Sequence, residues 1–333
     1  VSRTVALLVF PGVQALDVGG PMDVFAEANR FVPEDARYEI EVIVIGGDGL
    51  IACSNGLLLK AHRAYGDVDP VISSYDLVLT AGGPDLPKVI WNSGVYDWLR
   101  RICAVSRRYG SICNGAFALA RASLLDGRTV TTHWSDAGEL ANLCPNARVE
   151  ADRIFVRDGN LYTSAGVTAG IDLSLYLVAQ DHGDDVALNV ARRLVVFRQR
   201  AGGQSQFSPY LTPCAEPTSP VALVQEYVLG HLSEELSVRV LAGVARMSLR
   251  NFARVFARES RMTPAAFVES ARVDAARAML EKGNAPLKRI AYECGFSDSH
   301  NMRQIFKRRL GVSPQQYRAT FSAPAADPVF PTR

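Results

Sequence analysis

The sequence predicts an α/β domain, a doubly wound parallel sheet, followed by an all-α domain of two helix-turn-helix units. Three observations carry this. Over the first two hundred residues, short apolar runs that end in Gly or Pro alternate with amphipathic stretches, the pattern of strand–helix–strand units. The last hundred residues contain one helical pattern twice. Between them lies QRAGGQSQFSPYLTPCAEPTSP, rich in Gly, Ser, Gln and Pro and without periodic hydrophobics, which reads as a linker. The expected divisions are 1–200, a linker over 201–220, a second domain over 221–320, and a disordered tail over 321–333.

Taken in order, TVALLVF at 4–10 is a continuous apolar run bounded by Pro11-Gly12 and suits a strand buried on both faces. Gly20-Pro21 is expected to open a helix running through Phe25 to Arg30. Glu39 to Gly46 and Tyr75 to Ala81 read as two further strands, the second followed by Gly82-Gly83-Pro84. An amphipathic helix from Val95 to Arg108 sets Leu99, Ile102 and Val105 on one side. Gly110 to Ala116, GSICNGA, is a very short strand that turns at Cys113 into a helix over Ala116 to Ala122. A Cys at such a turn sits at a helix N-terminus, where the dipole can lower a thiol pKa. Small residues from Thr163 to Gly170 suit a loop lining the same cleft, before helices at 171–179 and 184–196. Ligands of open α/β sheets bind at the carboxyl ends of the strands.

In the second domain, Leu241 to Phe267 aligns with Ile290 to Tyr317: Leu241-Ala242 with Ile290-Ala291, Met247-Ser248 with Phe296-Ser297, Phe256 with Phe306, Thr263-Pro264 with Ser313-Pro314. In each copy a short helix (Val240 to Ala245; Leu287 to Cys294) leads to a Ser that can cap a second helix. That second helix buries Phe252 and Phe256 in one copy, and Met302, Phe306 and Leu310 in the other. The opposite row is Arg250, Arg254 and Arg258 with Asn251 beside it, and in the second copy Ser299, Arg303 and Lys307 flanked by His300 and Arg308. Arg and Asn bond base edges in pairs, and Lys or Arg further along neutralises phosphates, so both rows are candidate DNA contacts. Such rows are also what ordinary solvated helices show. Here they recur after a turn, and residues 221–320 hold sixteen Lys or Arg against nine Asp or Glu, a balance of +7 in a chain that is only +2, with −5 over 1–220.

Composition bounds the rest. At 333 residues, 48% hydrophobic and 21% charged, the chain is long enough for two ordinary globular domains. The first apolar run ends after six residues, too short for a signal segment, and no stretch reaches the length of a membrane span. Cys53, Cys103, Cys113, Cys144, Cys214 and Cys294 show neither C-x-x-C nor metal spacing, so no disulfide, metal or cofactor is expected, and the expected compartment is the cytoplasm.

The second domain resembles the AraC-type transcription regulators over Leu241-Ala242, Met247-Ser248, Arg254, Phe256, Thr263-Pro264, Arg272, Ala276, Gly295-Phe296, Phe306-Lys307, Gly311, Ser313-Pro314 and Tyr317-Arg318. The resemblance implies two helix-turn-helix units joined by a long helix, here Pro264 to Lys282, with promoter DNA and RNA polymerase as partners and activation as the outcome. Met302 departs from the aromatic usual at its position, and Arg261 stands where a Gly usually ends the helix. FPGVQALDVGGPMDVF, TAGGPD, SICNGAFALARASLLDGRTVTTHW and TSAGVTAGIDLSLYLV resemble the PfpI-like branch of the class I glutamine amidotransferase-like superfamily, over about residues 4 to 200. This implies a flavodoxin-like sandwich, with Cys113 matching the elbow nucleophile and Asp17 an acid from the loop after the first strand. Asn114 stands where the proteolytic members carry His, and His133 is the nearest base by sequence, although its place after the following strand suits a structural role as well. The candidate pocket is therefore Asp17, Gly82, Gly83, Cys113, Asn114 and His133. Three readings remain open: a regulator that senses a small-molecule effector without transforming it, a bifunctional Cys-dependent hydrolase or hydratase, and an architectural DNA binder. Asn114 counts against turnover and the retained pocket against pure architecture, so a sensing, homodimeric regulator is expected.

Overall fold

The computed structural model describes residues 3–47, 49–71, 73, 75–196, 203–204, 219–260 and 262–321. It divides into two compact units, Val1–Gln204 and Ser205–Arg333. Most of the stretch read as a linker, the tail beyond Phe321 and the Arg261 departure lie outside the described residues.

Unit 1 begins with β1 (Arg3–Val9), α1 (Ala15–Ala28) and β2 (Tyr38–Val44). The short hairpin β3 (Leu50–Ala52) and β4 (Leu58–Lys60) follows, then β5 (Arg63–Ala64), β6 (Leu77–Thr80), α2 (Ser93–Val105) and β7 (Arg108–Ser111). After the elbow come α3 (Ala116–Arg121), β8 (Thr129–Val130), α4 (Ala137–Leu143), β9 (Arg148–Val149), β10 (Phe155–Asp158), β11 (Leu161–Ser164), α5 (Ala169–His182) and α6 (Asp184–Arg193). Seven strands form one sheet in the order β10-β11-β7-β6-β1-β2-β5, parallel throughout except for β10 against β11. The period of two along β1 splits the core between the two faces. Val5, Leu7 and Val9 pack with α1, α5 and α6 residues such as Phe25, Leu173 and Val190, whereas Ala6 and Leu8 pack with Leu99, Phe117 and Leu140 from α2, α3 and α4. The chain winds outward in both directions from β1 and β6, so the switch point lies between them, at the ends of β1 and β6 and next to that of β7.

Three expectations need correction. Gly20-Pro21 does not open the first helix: α1 starts at Ala15 and Pro21 lies inside it, so Asp17 sits in a first helical turn rather than a loop. Pro has no N–H to return to the carbonyl four residues back, which here is that of Asp17. In α2, Leu99 and Ile102 are buried, but Val105 is 47% exposed, because spacing by three drifts off the buried face and the helix ends there. Gly203 and Gln204, counted with the linker, are tied to unit 1, where the Gln204 amide N–H donates to the Asp152 carbonyl at 2.9 Å.

Unit 2 contains α7 (Pro220–Gly230), α8 (Val238–Val244), α9 (Leu249–Ser260), α10 (Pro264–Lys282), α11 (Leu287–Glu293), α12 (Ser299–Leu310) and α13 (Pro314–Phe321). The long joining helix has the predicted bounds. Its two halves serve different cores: Phe267, Val268 and Ala271 pack with Phe252 and Phe256, while Val273, Ala276 and Leu280 pack with Met302, Phe306 and Leu310. Met302 is fully buried, filling the place of an aromatic ring as an unbranched thioether can. The duplication extends to the backbone. Arg246 and Gly295 hold left-handed φ values of +53° and +76° at equivalent positions, and the amides that follow, of Met247 and Phe296, donate to the carbonyls of Ala242 and Ala291, both at 2.9 Å. Gly is obligatory only in the second copy, where a Cβ would stand 1.8 Å from the Leu232 carbonyl oxygen. The caps differ too: Ser248 accepts from the Asn251 amide as expected, but in α12 the cap is Asp298, not Ser297, accepting from the Asn301 amide at 2.7 Å.

Candidate effector pocket and nucleic-acid interface

In unit 1 the switch point is closed by three neighbouring turns. The Gln14 amide at the head of α1 donates to the Gly82 carbonyl at 2.8 Å, which draws the first turn of the helix over the end of β6. Asp17 Oδ2 accepts from the Gly82 amide at 2.9 Å, and Asn114 Oδ1 accepts from the Gly83 amide at 2.8 Å. After β7, Ile112 is still extended, Cys113 turns to φ +56°, and a single 3-10 turn, Cys113–Gly115, feeds α3. A left-handed Cys is strained, and Gly115 lets the elbow pass so close to β6 that a Cβ would lie 2.1 Å from the Thr80 carbonyl oxygen. At the centre is Gly82, where a Cβ would meet Asn114 Oδ1 at 2.6 Å, Asp17 Oδ2 at 2.8 Å and the Cys113 Cβ at 2.9 Å. Five of the six predicted pocket residues, Asp17, Gly82, Gly83, Cys113 and Asn114, therefore meet at one point.

Burial governs their chemistry. Asp17 is fully buried, which pushes its carboxyl up to about 7 against the opposing pull of the Gly82 hydrogen bond; its Oδ1 has no hydrogen-bond partner among the described residues. The Cys113 thiol is pushed up to about 12, first by burial and then by the Asp17 charge, although the backbone amides of Val167 and Asn114 favour its thiolate. The lowering that a helix N-terminus can bring does not prevail here: desolvation and the Asp17 charge act against it at the head of a six-residue helix. At neutral pH the thiol therefore stays protonated, while Asp17 titrates close to neutrality.

The sixth, His133, makes its hydrogen bonds within its own loop. Its Nδ1 pairs with Ser135 Oγ at 2.7 Å, its ring packs on Gly166, and burial holds its pKa below the ordinary value. Two side chains reach from this loop to the elbow: Thr132, whose Oγ1 donates to the Cys113 carbonyl at 2.9 Å, and Asp136, whose Oδ2 accepts from Asn114 Nδ2 at 3.1 Å. Asp136, the Val167 amide and Thr132 were not among the predicted site residues. Only the run of small residues around 167 hinted at the second, and no spacing pointed to the first.

In unit 2, Arg250, Arg254 and Arg258 are exposed along α9, opposite the buried Phe252 and Phe256. Asn251 Oδ1 accepts from Arg254 at 2.9 Å and so holds that guanidinium in place before any partner arrives. On α12, His300, Arg303 and Lys307 are exposed and Ser299 is half-buried, opposite Met302, Phe306 and Leu310. Gln304, also exposed and paired with His300 at 2.9 Å, belongs to the same face and was not predicted. Arg308 is turned back instead: it and Arg309 both bond Glu269 of α10. Among the described residues no group of three His, Cys, Asp or Glu could hold a metal ion, and no helix is long and apolar enough to cross a membrane.

Residues 3–180 match the DJ-1/PfpI family, slightly more than half of the chain. The chain belongs to the DJ-1/PfpI family. Residues 241–320 match a helix-turn-helix domain, the other half of the architecture. The HTH-type transcriptional regulator CdhR of Pseudomonas aeruginosa is 29% identical over 96% of this chain and 94% of its own length, so the similarity runs through both parts of this chain. The isonitrile hydratase of Pseudomonas putida is 35% identical over 57% of this chain and 77% of its own length. Among solved structures, an AraC family transcriptional regulator from Pseudomonas putida superposes with a TM-score of 0.50, at 22% identity, over 58% of this chain and 99% of that one. At that identity the superposition speaks for the fold. Within the DJ-1/PfpI family, then, this chain is similar both to regulators and to an enzyme, and its pocket chemistry has to separate them.

Proposed function

We propose that this protein is a sequence-specific DNA-binding transcription regulator in which unit 1 binds a small-molecule effector at Asp17, Gly82, Gly83, Cys113 and Asn114 without transforming it. The observation that carries the reading is the setting of the Cys113 thiol, buried beside the neutral Asn114 amide and the Asp17 carboxyl, where burial and then the Asp17 charge raise its pKa. A thiol nucleophile needs a base or a nearby cation. This one has two carboxyls facing it, Asp17 and Asp136, both of which oppose its ionisation. Arg250, Asn251, Arg254, Arg258, Ser299, His300, Arg303 and Lys307 make the DNA face. Kinship with the AraC-type regulators supports activation through RNA polymerase, a homodimer formed through unit 1, and a cytoplasmic setting. The division into a sensing domain over 1–200, a linker and a DNA-binding domain over 221–320 belongs to the same proposal.

The likeness to isonitrile hydratase and the titration of Asp17 near neutral pH favour one competing reading, hydration at Cys113. Incubating the full chain with an alkyl isonitrile separates the two. The expected result is no formamide and no covalent adduct on Cys113 by mass spectrometry. Formamide production that is lost in Cys113→Ser would establish the enzyme. In parallel, a thermal-shift screen of metabolites should find an effector, which at 100 times its Kd stabilises unit 1 by ~2.7 kcal/mol. Cys113→Trp should abolish that shift and leave DNA affinity intact.

A further inference from the structure

The loop over residues 131–136 is bonded to the pocket on one side and to the start of the linker on the other. On the pocket side, Thr132 Oγ1 donates to the Cys113 carbonyl at 2.9 Å, and Asp136 accepts from Asn114 at 3.1 Å. On the far side lies Gln204, the last residue of unit 1, only 3% exposed. The two hydrogens of its Nε2 are shared among the carbonyls of Thr132 at 2.8 Å, Ala151 at 2.9 Å and Arg153 at 3.0 Å, while its Oε1 accepts from the Trp134 amide at 2.8 Å. Gly203 fits so tightly that a Cβ would sit 2.2 Å from the Asp152 carbonyl oxygen. Gln is an exposed residue type in most proteins, and a linker of Gly, Ser, Gln and Pro has no need of a buried, fully bonded anchor.

We infer that Gln204 is a positioning residue that couples occupancy of the Cys113 pocket to the linker leading into the helix-turn-helix unit, an inference that rests on the sensor reading of unit 1. The coupling runs through two-sided residues. Thr132 gives its hydroxyl to the Cys113 carbonyl and its own carbonyl to Gln204; Asp136 holds Asn114 two residues after Trp134, whose amide holds Gln204. A ligand seated against Asn114 competes for the amide that now bonds Gly83 and Asp136. Loosened at Asp136 and held on that side by Thr132 alone, the loop shifts, the amide and carbonyl that grip Gln204 move off it, and Gln204 exchanges them for water. The linker then starts from a released residue instead of an anchored one. Such a ligand shifts the balance between the two states by its differential affinity for them.

Hydrogen–deuterium exchange on the full chain tests this without an identified effector. Asn114→Ala breaks one of the two pocket-side bonds, that to Asp136, and Gln204→Ala and Gln204→Glu break the far side, the second at nearly constant volume with a carboxylate set against three carbonyls. Asn114→Ala is expected to speed exchange at the Trp134 and Gln204 amides about fivefold, the loss of roughly one hydrogen bond's protection, with Leu7 in β1 unchanged as the global reference. Both Gln204 variants should speed exchange at Asp136 and Gly83 to a similar extent. A change under twofold at Trp134 and Gln204 in Asn114→Ala, or at Asp136 and Gly83 in Gln204→Glu, overturns the coupling. The functional arm uses a DNA site selected by the full chain from a random-sequence pool, placed upstream of a reporter. Gln204→Glu should change transcription severalfold at unaltered DNA affinity, and unaltered transcription overturns the regulatory role. Failure to select any site would instead sink the regulator reading and leave the exchange result standing.

Discussion

The Cys113 pocket and the outer faces of α9 and α12 hold their polar groups under opposite conditions. In the pocket, Asp17 is wholly buried and burial sets its protonation; on the helices, Arg254 and Arg303 stand in water, and only a partner can desolvate them. The first arrangement lets the fold decide what a side chain does. The second lets the fold decide only where it is. Burial also makes the pocket intolerant, because Gly82 leaves no room among Asn114, Asp17 and Cys113, whereas the helix faces carry their side chains outward and tolerate truncation.

The largest expected effect tests the buried half of this contrast. Burial raises Asp17 from 3.8 to about 7, so the folded chain keeps a proton that the unfolded chain releases. Its contribution is fully present below pH ~4 and is lost as pH rises through about 7, a swing on the order of 4 kcal/mol. All three tryptophans, Trp91, Trp98 and Trp134, lie in unit 1, so their fluorescence in urea melts reports that unit alone. Asp17→Asn should flatten the fall in stability between pH 4 and 8. An equally steep fall in the variant would show that Asp17 is already ionised in the folded state.

Next in size is Gly82→Ala, expected to cost unit 1 about 1–3 kcal/mol through overpacking and to leave the DNA affinity of unit 2 unchanged. Gly138 in α4, where a Cβ meets nothing within 4 Å, is the control, and Gly138→Ala should be neutral or stabilising. Equal urea midpoints for the two variants would mean that the pocket relaxes around an added methyl and is not the tight constellation described.

On the exposed side, Arg254→Ala and Arg303→Ala should each cost about 1–3 kcal/mol at the selected site and little on random DNA, while Lys307→Ala weakens both and flattens the salt dependence. Arg308→Ala should leave sequence preference unchanged, because its guanidinium bonds Glu269. Titrations at several salt concentrations read all four. Loss of specificity in Arg308→Ala, with none in Arg303→Ala, would invert the assignment of the α12 face.

The two regions are also unequally legible in the sequence. A helical face repeats every three or four residues, so the spacing of Phe252 with Phe256, and of Met302 with Phe306 and Leu310, is enough to mark the buried rows and with them the exposed ones. Arg308 escapes that reading because its partner, Glu269, lies thirty-nine residues away on α10, where periodicity gives no signal. The pocket assembles from three chain segments and has no period. Asp17, Cys113 and Asn114 are readable through motif resemblance, but Asp136 and the burial that reverses the expected thiol shift are products of packing. Likewise Gln204 looks like linker by composition and is set apart only by the carbonyls that surround it.

The smallest expected effect compares the two copies of the helix-turn-helix. Both have Ser at the aligned capping position, and from sequence both should cap. In α9 the Ser248 hydroxyl does accept from the Asn251 amide, at 3.4 Å, but in α12 the helix starts one residue later and Asp298 accepts from the Asn301 amide at a tighter 2.7 Å. Loss of a cap costs typically ~1 kcal/mol, and a carboxylate at a helix N-terminus gains further from the dipole. Asp298→Ala should therefore lower the stability of unit 2 by about 1 kcal/mol, Ser248→Ala by somewhat less, and Ser297→Ala by nothing measurable, as read by far-ultraviolet circular dichroism during urea unfolding. The order matters because a cap sets where the recognition helix begins. Adding an acidic cap one residue on in the first copy, by Leu249→Asp, asks whether sequence alone moves that start. If Ser297→Ala proved as costly as Asp298→Ala, the two copies would share one cap and α12 would begin a residue earlier, turning Arg303 relative to the first turn and changing which of Ser299, His300 and Arg303 leads into the groove.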